Sequence, residues 1–397
     1  MDRYISLQAL NIAPVATSSS NSQTASPPHY FHQNPTEVMD SDTESEVLST
    51  TSMPPFSATP SVTSSHTSYD AAATSTRSNS PVPSVISMTD SVRSQIYRSK
   101  YGREFNNFSD VYALPADEEE MNRLDQQHLI IVDVMGEKYP PPMADVMADD
   151  VPGERKACLD LGCGSGGWIL DVARDFPNCN AVAVDLIPMQ SLSMPPNLRS
   201  EVDDINLGLE HYYGDFNVVH VRLVSSGVKD YCRLVDQISH VLRPGGLIDL
   251  TEFDFHIYDG NGQRLELDTH QVGPPWWARW MTFVRVAVQQ IGGHTDAATH
   301  LWDWVSNHPA FEQPVYREYW MPVCTGPSES DSQQRLSQRL SGDAMSFLTG
   351  TRALLLGSGL PEDLVTELVT NAEAEHHEAK IPQYTRMQCV YARKKSV

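Results

Sequence analysis

The run KACLDLGCGSGGWILDVARDFPNCNAVAVDLIP, residues 156–188 of a 397-residue chain, sets Gly162, Gly164, Gly166 and Gly167 between two short apolar segments. A five-residue apolar run, a glycine-rich turn, a stretch of helical period and a second apolar run describe a strand, a tight turn, a crossover helix and a parallel strand. The spacing predicts strands at 157–161 and 181–185 with a helix at 166–175.

The same alternation continues downstream, with strands expected at about 199–202, at 217–221 and at 247–252, and a helix at 227–242. Arg243-Pro244-Gly245-Gly246 stops that helix, because proline cannot continue it and glycine supplies the left-handed turn that ends it. Beyond lie a tryptophan-rich helix (275–291), another near 295–305, the apolar segment VYREYWMPV, a helical insertion over about 331–378 and a last strand, QCVYAR. The two final strands read as an antiparallel hairpin interrupted by the insertion. Trp276, Trp280 and Phe283 share one face of the tryptophan-rich helix, which leaves Trp277 to face elsewhere.

Upstream, Pro115 suits a helix start and Asp117 to Glu120 suit the positive end of its dipole. Met121, Leu124, His128, Ile131 and Val132 recur at helical spacing, so this helix is expected to clasp the main fold through that face. Residues 1–91 are rich in Ser, Thr and Pro with apolar residues scattered singly, the composition of a disordered tail. The expected organisation is therefore a tail at 1–91, an N-terminal helical clasp at 92–155 and an α/β domain at 156–397.

A formal charge of −23 and a pI near 4.9 oppose binding to phosphate backbones, so no nucleic-acid partner is expected. Arg393-Lys394-Lys395 reads as a solvated tail. Six cysteines without a C-x-x-C pair, and no secretory leader, point to a reduced intracellular protein, with cytoplasm favoured over nucleus. No stretch approaches the roughly 20 apolar residues of a membrane span, so no membrane partner is expected. The fourteen histidines show no ligand spacing, and no metal is assigned.

The spelling G-C-G-S-G-G satisfies both the dinucleotide fingerprint and the tighter G-x-G-x-G of S-adenosylmethionine sites. Asp160, two positions before Gly162, separates them: a carboxylate there serves an α-ammonium, whereas dinucleotide sites usually carry an apolar residue. Asp185, ending the second strand, can accept both ribose hydroxyls in either class. Asp203 and Asp204 end the third strand. Carboxylates at three successive strand ends favour adenosylmethionine over NAD, with Asp160, Gly162, Gly164, Gly166, Asp185, Asp203 and Asp204 as the candidate cofactor residues.

With these motifs in place the sequence resembles a class I methyltransferase, and more narrowly the fungal LaeA-like, or UMTA-type, family. LDLGCGSG, Asp185 and LRPGGLI carry the wider resemblance. The narrower one rests on Tyr101-Gly-Arg, YALPADEEEMNRLDQQH (112–128), EVDDINLGL (201–209), FNVVHVRLVSSGVKDY (216–231) and LRPGGLIDLTEFDF (242–255). The resemblance implies a Rossmann-like α/β fold with a seven-stranded sheet and a closing antiparallel strand. It also implies adenosylmethionine as cofactor and a role in secondary metabolism, as a tailoring enzyme or as a regulator.

Methyl transfer from a sulfonium is an in-line displacement, so the protein chiefly has to align donor and acceptor in a dry pocket. Polar side chains at or after the fourth and fifth strand ends are His220, Arg222, Lys229, Asp230, Glu252, Asp254 and His256. His220 reads as a strand histidine, whereas Glu252 and His256 stand nearer the sheet edge where α/β ligands bind and are the candidate catalytic residues. Three functions stay open: methylation of a small intracellular acceptor, which is favoured; regulation through protein partners that the tail would recruit; and methylation of a macromolecule.

Overall fold

The parallel ladder expected from the glycine stretch is present in the computed structural model, which describes residues 3–4, 89–149, 153–189, 193–324 and 331–396. The chain divides into two units, 22–86 and the remainder, and every described residue belongs to the second. The expected tail thus lies outside the described residues except at 3–4, which pair with Gln271–Val272, and at 89–91. Helix α1 (Asp90–Ile96) begins there, capped by the Thr89 hydroxyl, which accepts from the Val92 N–H.

Seven strands run through the main sheet, β1 (Ala157–Leu161), β2 (Asn180–Asp185), β3 (Leu198–Val202), β4 (Phe216–Arg222), β5 (Leu242–Phe253), β6 (Phe311–Cys324) and β7 (Gln383–Lys394), and an eighth, the two-residue strand Tyr258–Asp259, pairs with the start of β7. Their order is β3-β2-β1-β4-β5-β7-β6, with β7 antiparallel to both neighbours and β1 to β5 mutually parallel. This is the class I methyltransferase arrangement, including the closing antiparallel pair. Alternation along each strand splits the core into two layers. Leu159, Leu161, Val219 and Val221 face one layer with α4 (Tyr231–Val241) and α6 (Ala297–Ser306). Cys158, Ala181 and Val218 face the other, against Trp168, Ile169 and Val172 of α3 (Gly167–Asp175).

Helix α4 starts four residues later than the sequence suggests. Residues 225–227 form one tight 3-10 turn, and Asp230 then caps the helix by accepting from the Arg233 N–H at 2.9 Å. Helix α2 (Glu118–Met135) is capped by Asp117 and ends at Gly136 in the left-handed conformation. Its inward face is wider than expected: His128 and Ile131 are buried as the spacing predicts, and Leu124 lines a cavity. Met121 and Val132 are only half-buried, whereas Glu120 and Arg123 are buried as an ion pair.

The insertion between β6 and β7 is three helices, α7 (Asp331–Gly350), α8 (Arg352–Gly357) and α9 (Glu362–Glu378). They pack on α5 (Trp276–Gln290) around Trp277, Trp280, Phe283, Leu348, Leu355 and Leu368. Trp277 and Trp280 are fully buried and Trp276 is half-buried. The α5 N-terminus has no cap of its own. Glu375 of α9 supplies one, accepting from the N–H groups of Trp276 at 2.7 Å and Trp277 at 3.1 Å.

Candidate functional site

One continuous cavity lies over the C-terminal ends of β1, β2 and β4, between α2 and the insertion. Its polar end is the glycine loop. Gly162, Gly164 and Gly166 hold φ values of 72°, 56° and 86°, where a side chain is strained. A Cβ at Gly162 would collide with Val224 Cγ1, and one at Gly164 would press on Leu124 Cδ1 of α2. Gly162 and Gly164 line the cavity; Gly166 does not, and a Cβ there would run into Met189.

Asp185 faces this loop, accepting from the Gly164 N–H at 2.8 Å and the Ile187 N–H at 3.3 Å. Burial raises its pKa against those bonds. Asp160 is buried deeper, and its carboxylate accepts no hydrogen bond among the described residues. Desolvation pushes its pKa up to about 6, with His220 and Arg222 pulling the other way. Asp203 and Asp204 also line the cavity. Asp203 approaches His211 Nε2 at 3.0 Å, and Asp204 accepts from the Asn206 backbone and side chain.

Register places Asp160, His220 and Asp249 side by side on β1, β4 and β5. His220 Nδ1 lies 2.9 Å from Asp249 Oδ2, and its ring stacks on Trp168 with centroids 3.8 Å apart. Its Nε2 is buried without a partner among the described residues. Two residues on, Arg222 reaches His128 Nδ1 at 3.1 Å. Because a guanidinium only donates, Nδ1 must accept, which leaves Nε2 to donate to Asp171 at 3.3 Å. His128 is therefore the neutral link from α2 to the sheet, and burial followed by Arg222 lowers its pKa.

The other end of the cavity is apolar. Phe253, Phe255, Trp277, Met321, Leu340 and Phe347 contribute to its wall, so β5, α5, β6 and α7 all take part. The clasp over it is polar. Arg123 donates to both Glu120 oxygens at 2.6 and 3.0 Å and to Asp343 of α7 at 2.7 Å, while Gln127 also reaches Asp343. Sequence reasoning missed this cluster, and only the E-x-x-R spacing of Glu120 and Arg123 hinted at half of it.

Neither Glu252 nor His256 lines the cavity. Glu252 is fully buried, and its Oε1 accepts from Val224 N–H at 2.8 Å, Ser225 N–H at 3.2 Å and the Tyr231 hydroxyl at 3.1 Å. The second oxygen has no partner among the described residues, and desolvation pushes the pKa up to about 7. His256 Nε2 accepts from Arg264 at 3.2 Å. The alternation of the strand end, which sequence alone does not orient, turns both side chains away from the site. Among the described residues no group of His, Cys, Asp and Glu is arranged to hold a metal ion, and no helix is long and apolar enough to cross a membrane.

A methyltransferase-domain family profile matches residues 137–307. The chain is 50% identical over 299 residues to a secondary metabolism regulator laeA of Coprinopsis cinerea, covering 75% of this chain and 74% of that one. It is 29% identical over 275 residues to the methyltransferase pytC of Aspergillus terreus, covering 68% and 77% respectively. The methyltransferase str2 of Strobilurus tenacellus is 30% identical over 144 residues, 36% of this chain and half of its own length.

Proposed function

As the chain belongs to the LaeA-like family of methyltransferases, we propose that its cavity holds S-adenosylmethionine at the polar end and a small, largely apolar methyl acceptor at the other. The single observation that carries this reading is the continuity of the cavity: carboxylates and bare glycine backbone at one end run directly into an aromatic and aliphatic wall at the other. The residues present fit the cofactor. Asp160, buried and without a hydrogen-bond partner among the described residues, matches an α-ammonium, and Gly162 and Gly164 present bare backbone to the cavity.

The cofactor supplies an electrophilic methyl group. Asp185 accepts the ribose hydroxyls, since each of its oxygens keeps a lone pair after bonding Gly164 or Ile187. Asp203 and Asp204 border the nucleoside side. Trp277 and Phe347 hold the acceptor against the donor and exclude water, and alignment of this kind can lower a barrier by about 7–11 kcal/mol. Glu252 acts at one remove, holding the Val224–Ser225 turn against Gly162. The 50% identity to a protein named as a regulator favours a second reading, regulation of secondary metabolism through protein partners.

The test is a split between two variants. Trp277→Ala should lower turnover of a small acceptor while leaving S-adenosylhomocysteine affinity unchanged, and Asp185→Ala should weaken that affinity. Loss of cofactor affinity in Trp277→Ala, or none in Asp185→Ala, would overturn the division of the cavity.

A further inference from the structure

Arg222 is a cation of the cavity's polar end with no counter-ion among the described residues. Arg123 pairs with Glu120 and Asp343, and Arg386 with Asp254 at 2.9 Å, whereas the buried Arg279 turns to the backbone carbonyls of Gly273 and Asp268. Arg222 has no carboxylate within ion-pair distance among the described residues, and of its five N–H donors only one is directed to a neighbour, His128. Desolvation lowers its pKa, and the carboxylates that oppose this, Asp160 and Asp249, act only through space. Asp249 is already engaged by His220.

Placement sharpens this. The β1–β4 ladder ends at Leu161↔Val221, so Arg222 stands abreast of Gly162 at the start of the glycine loop. It shares a sheet face with His220, two residues before it, and with Asp160, which pairs with His220. A free cation and a free carboxylate therefore stand together on one face of one cavity. An anion alone would be attracted by Arg222 and repelled by Asp160. An α-amino acid group, with ammonium and carboxylate on one carbon, satisfies both.

We infer that Arg222 is the receptor for the α-carboxylate of the cofactor's amino-acid arm, opposite Asp160 at its ammonium. The inference rests on the proposed cofactor reading. It makes Arg222, through His128, also the link between ligand and clasp: the arm, Arg222, His128 and α2 form one chain of contacts.

Calorimetric titration of the full chain tests it, with S-adenosylhomocysteine, decarboxylated S-adenosylmethionine and 5′-methylthioadenosine as probes. Arg222→Met should bind S-adenosylhomocysteine about 10–100-fold more weakly, as expected for loss of a charge-assisted bond. Its affinity for the two ligands lacking the carboxylate should stay within about twofold of wild type, which also shows that the site is intact. Arg222→Lys, which keeps the charge without the fork, should fall between and decides the matter should Arg222→Met not fold. Equal S-adenosylhomocysteine affinity in wild type and the variants overturns the assignment alone. Failure of the wild type to bind any of the three overturns the cofactor reading and this inference with it.

Discussion

Asp185 concentrates the cofactor end of the site in one side chain, because its oxygens brace the glycine loop and face the cavity together. Asp185→Ala should cost about 1–3 kcal/mol of S-adenosylhomocysteine binding, the penalty for leaving buried polar groups unmatched; calorimetry reads this directly, and unchanged affinity would remove Asp185 from the site. Glu252 makes a different prediction. Its pKa rises from 4.5 to about 7 on folding, so the folded state holds the proton more tightly than the unfolded one. Its contribution to stability is therefore complete below about pH 4.5 and is lost as the pH rises through 7, by roughly 3 kcal/mol for a shift of that size. Glu252→Gln keeps the acceptor oxygen for Val224 and Ser225 but cannot ionise. Its urea-unfolding free energy should gain on wild type steadily between pH 4.5 and 7 and hold level above; parallel profiles would contradict this.

At the scale of elements, long-range polar contacts add to the apolar packing of Ile130 and Ile131 in holding the clasp helix α2. Arg123 lies 220 residues from Asp343, and both are largely buried. Arg123→Ala would leave Glu120 and Asp343 as uncompensated interior charges, so a loss of about 3–5 kcal/mol is expected in denaturant unfolding. A loss under about 1 kcal/mol would show that the clasp does not depend on this pair. Glu375→Ala should uncap α5 at a cost of about 1 kcal/mol and impair acceptor turnover more than cofactor binding, since α5 carries Trp277.

These elements also mark how far the sequence could be read. Strands β1 and β2, the stop of α4 before Arg243-Pro244 and the interrupted pair β6–β7 are legible because apolar runs and chain-breaking residues act locally, whereas Gly245, expected in a turn, lies within β5. The inward face of α2 is legible at His128 and Ile131 but not at Glu120 and Arg123, whose partner on α7 leaves no local trace. The candidate carboxylates are legible as strand-end residues, and the fold brings Asp160, Asp185, Asp203 and Asp204 to one cavity. The direction of Glu252 and His256 is not, since it depends on how β5 leaves the sheet. Arg222 appears in the sequence only as one polar residue among several, and its lack of a counter-ion is a property of the fold.

For the molecule as a whole, the central claim is that one cavity joins a donor site shared with the family to an acceptor chamber built by α5 and the insertion. The most direct measurement supplies purified protein with methyl-labelled S-adenosylmethionine and an extract of its own source, then separates the products by size and polarity. The account predicts label in a small, apolar product, diminished in Trp277→Ala at saturating cofactor. Label confined to protein, or absent while S-adenosylhomocysteine still binds, would contradict the small-molecule acceptor and leave regulation as the function of the site.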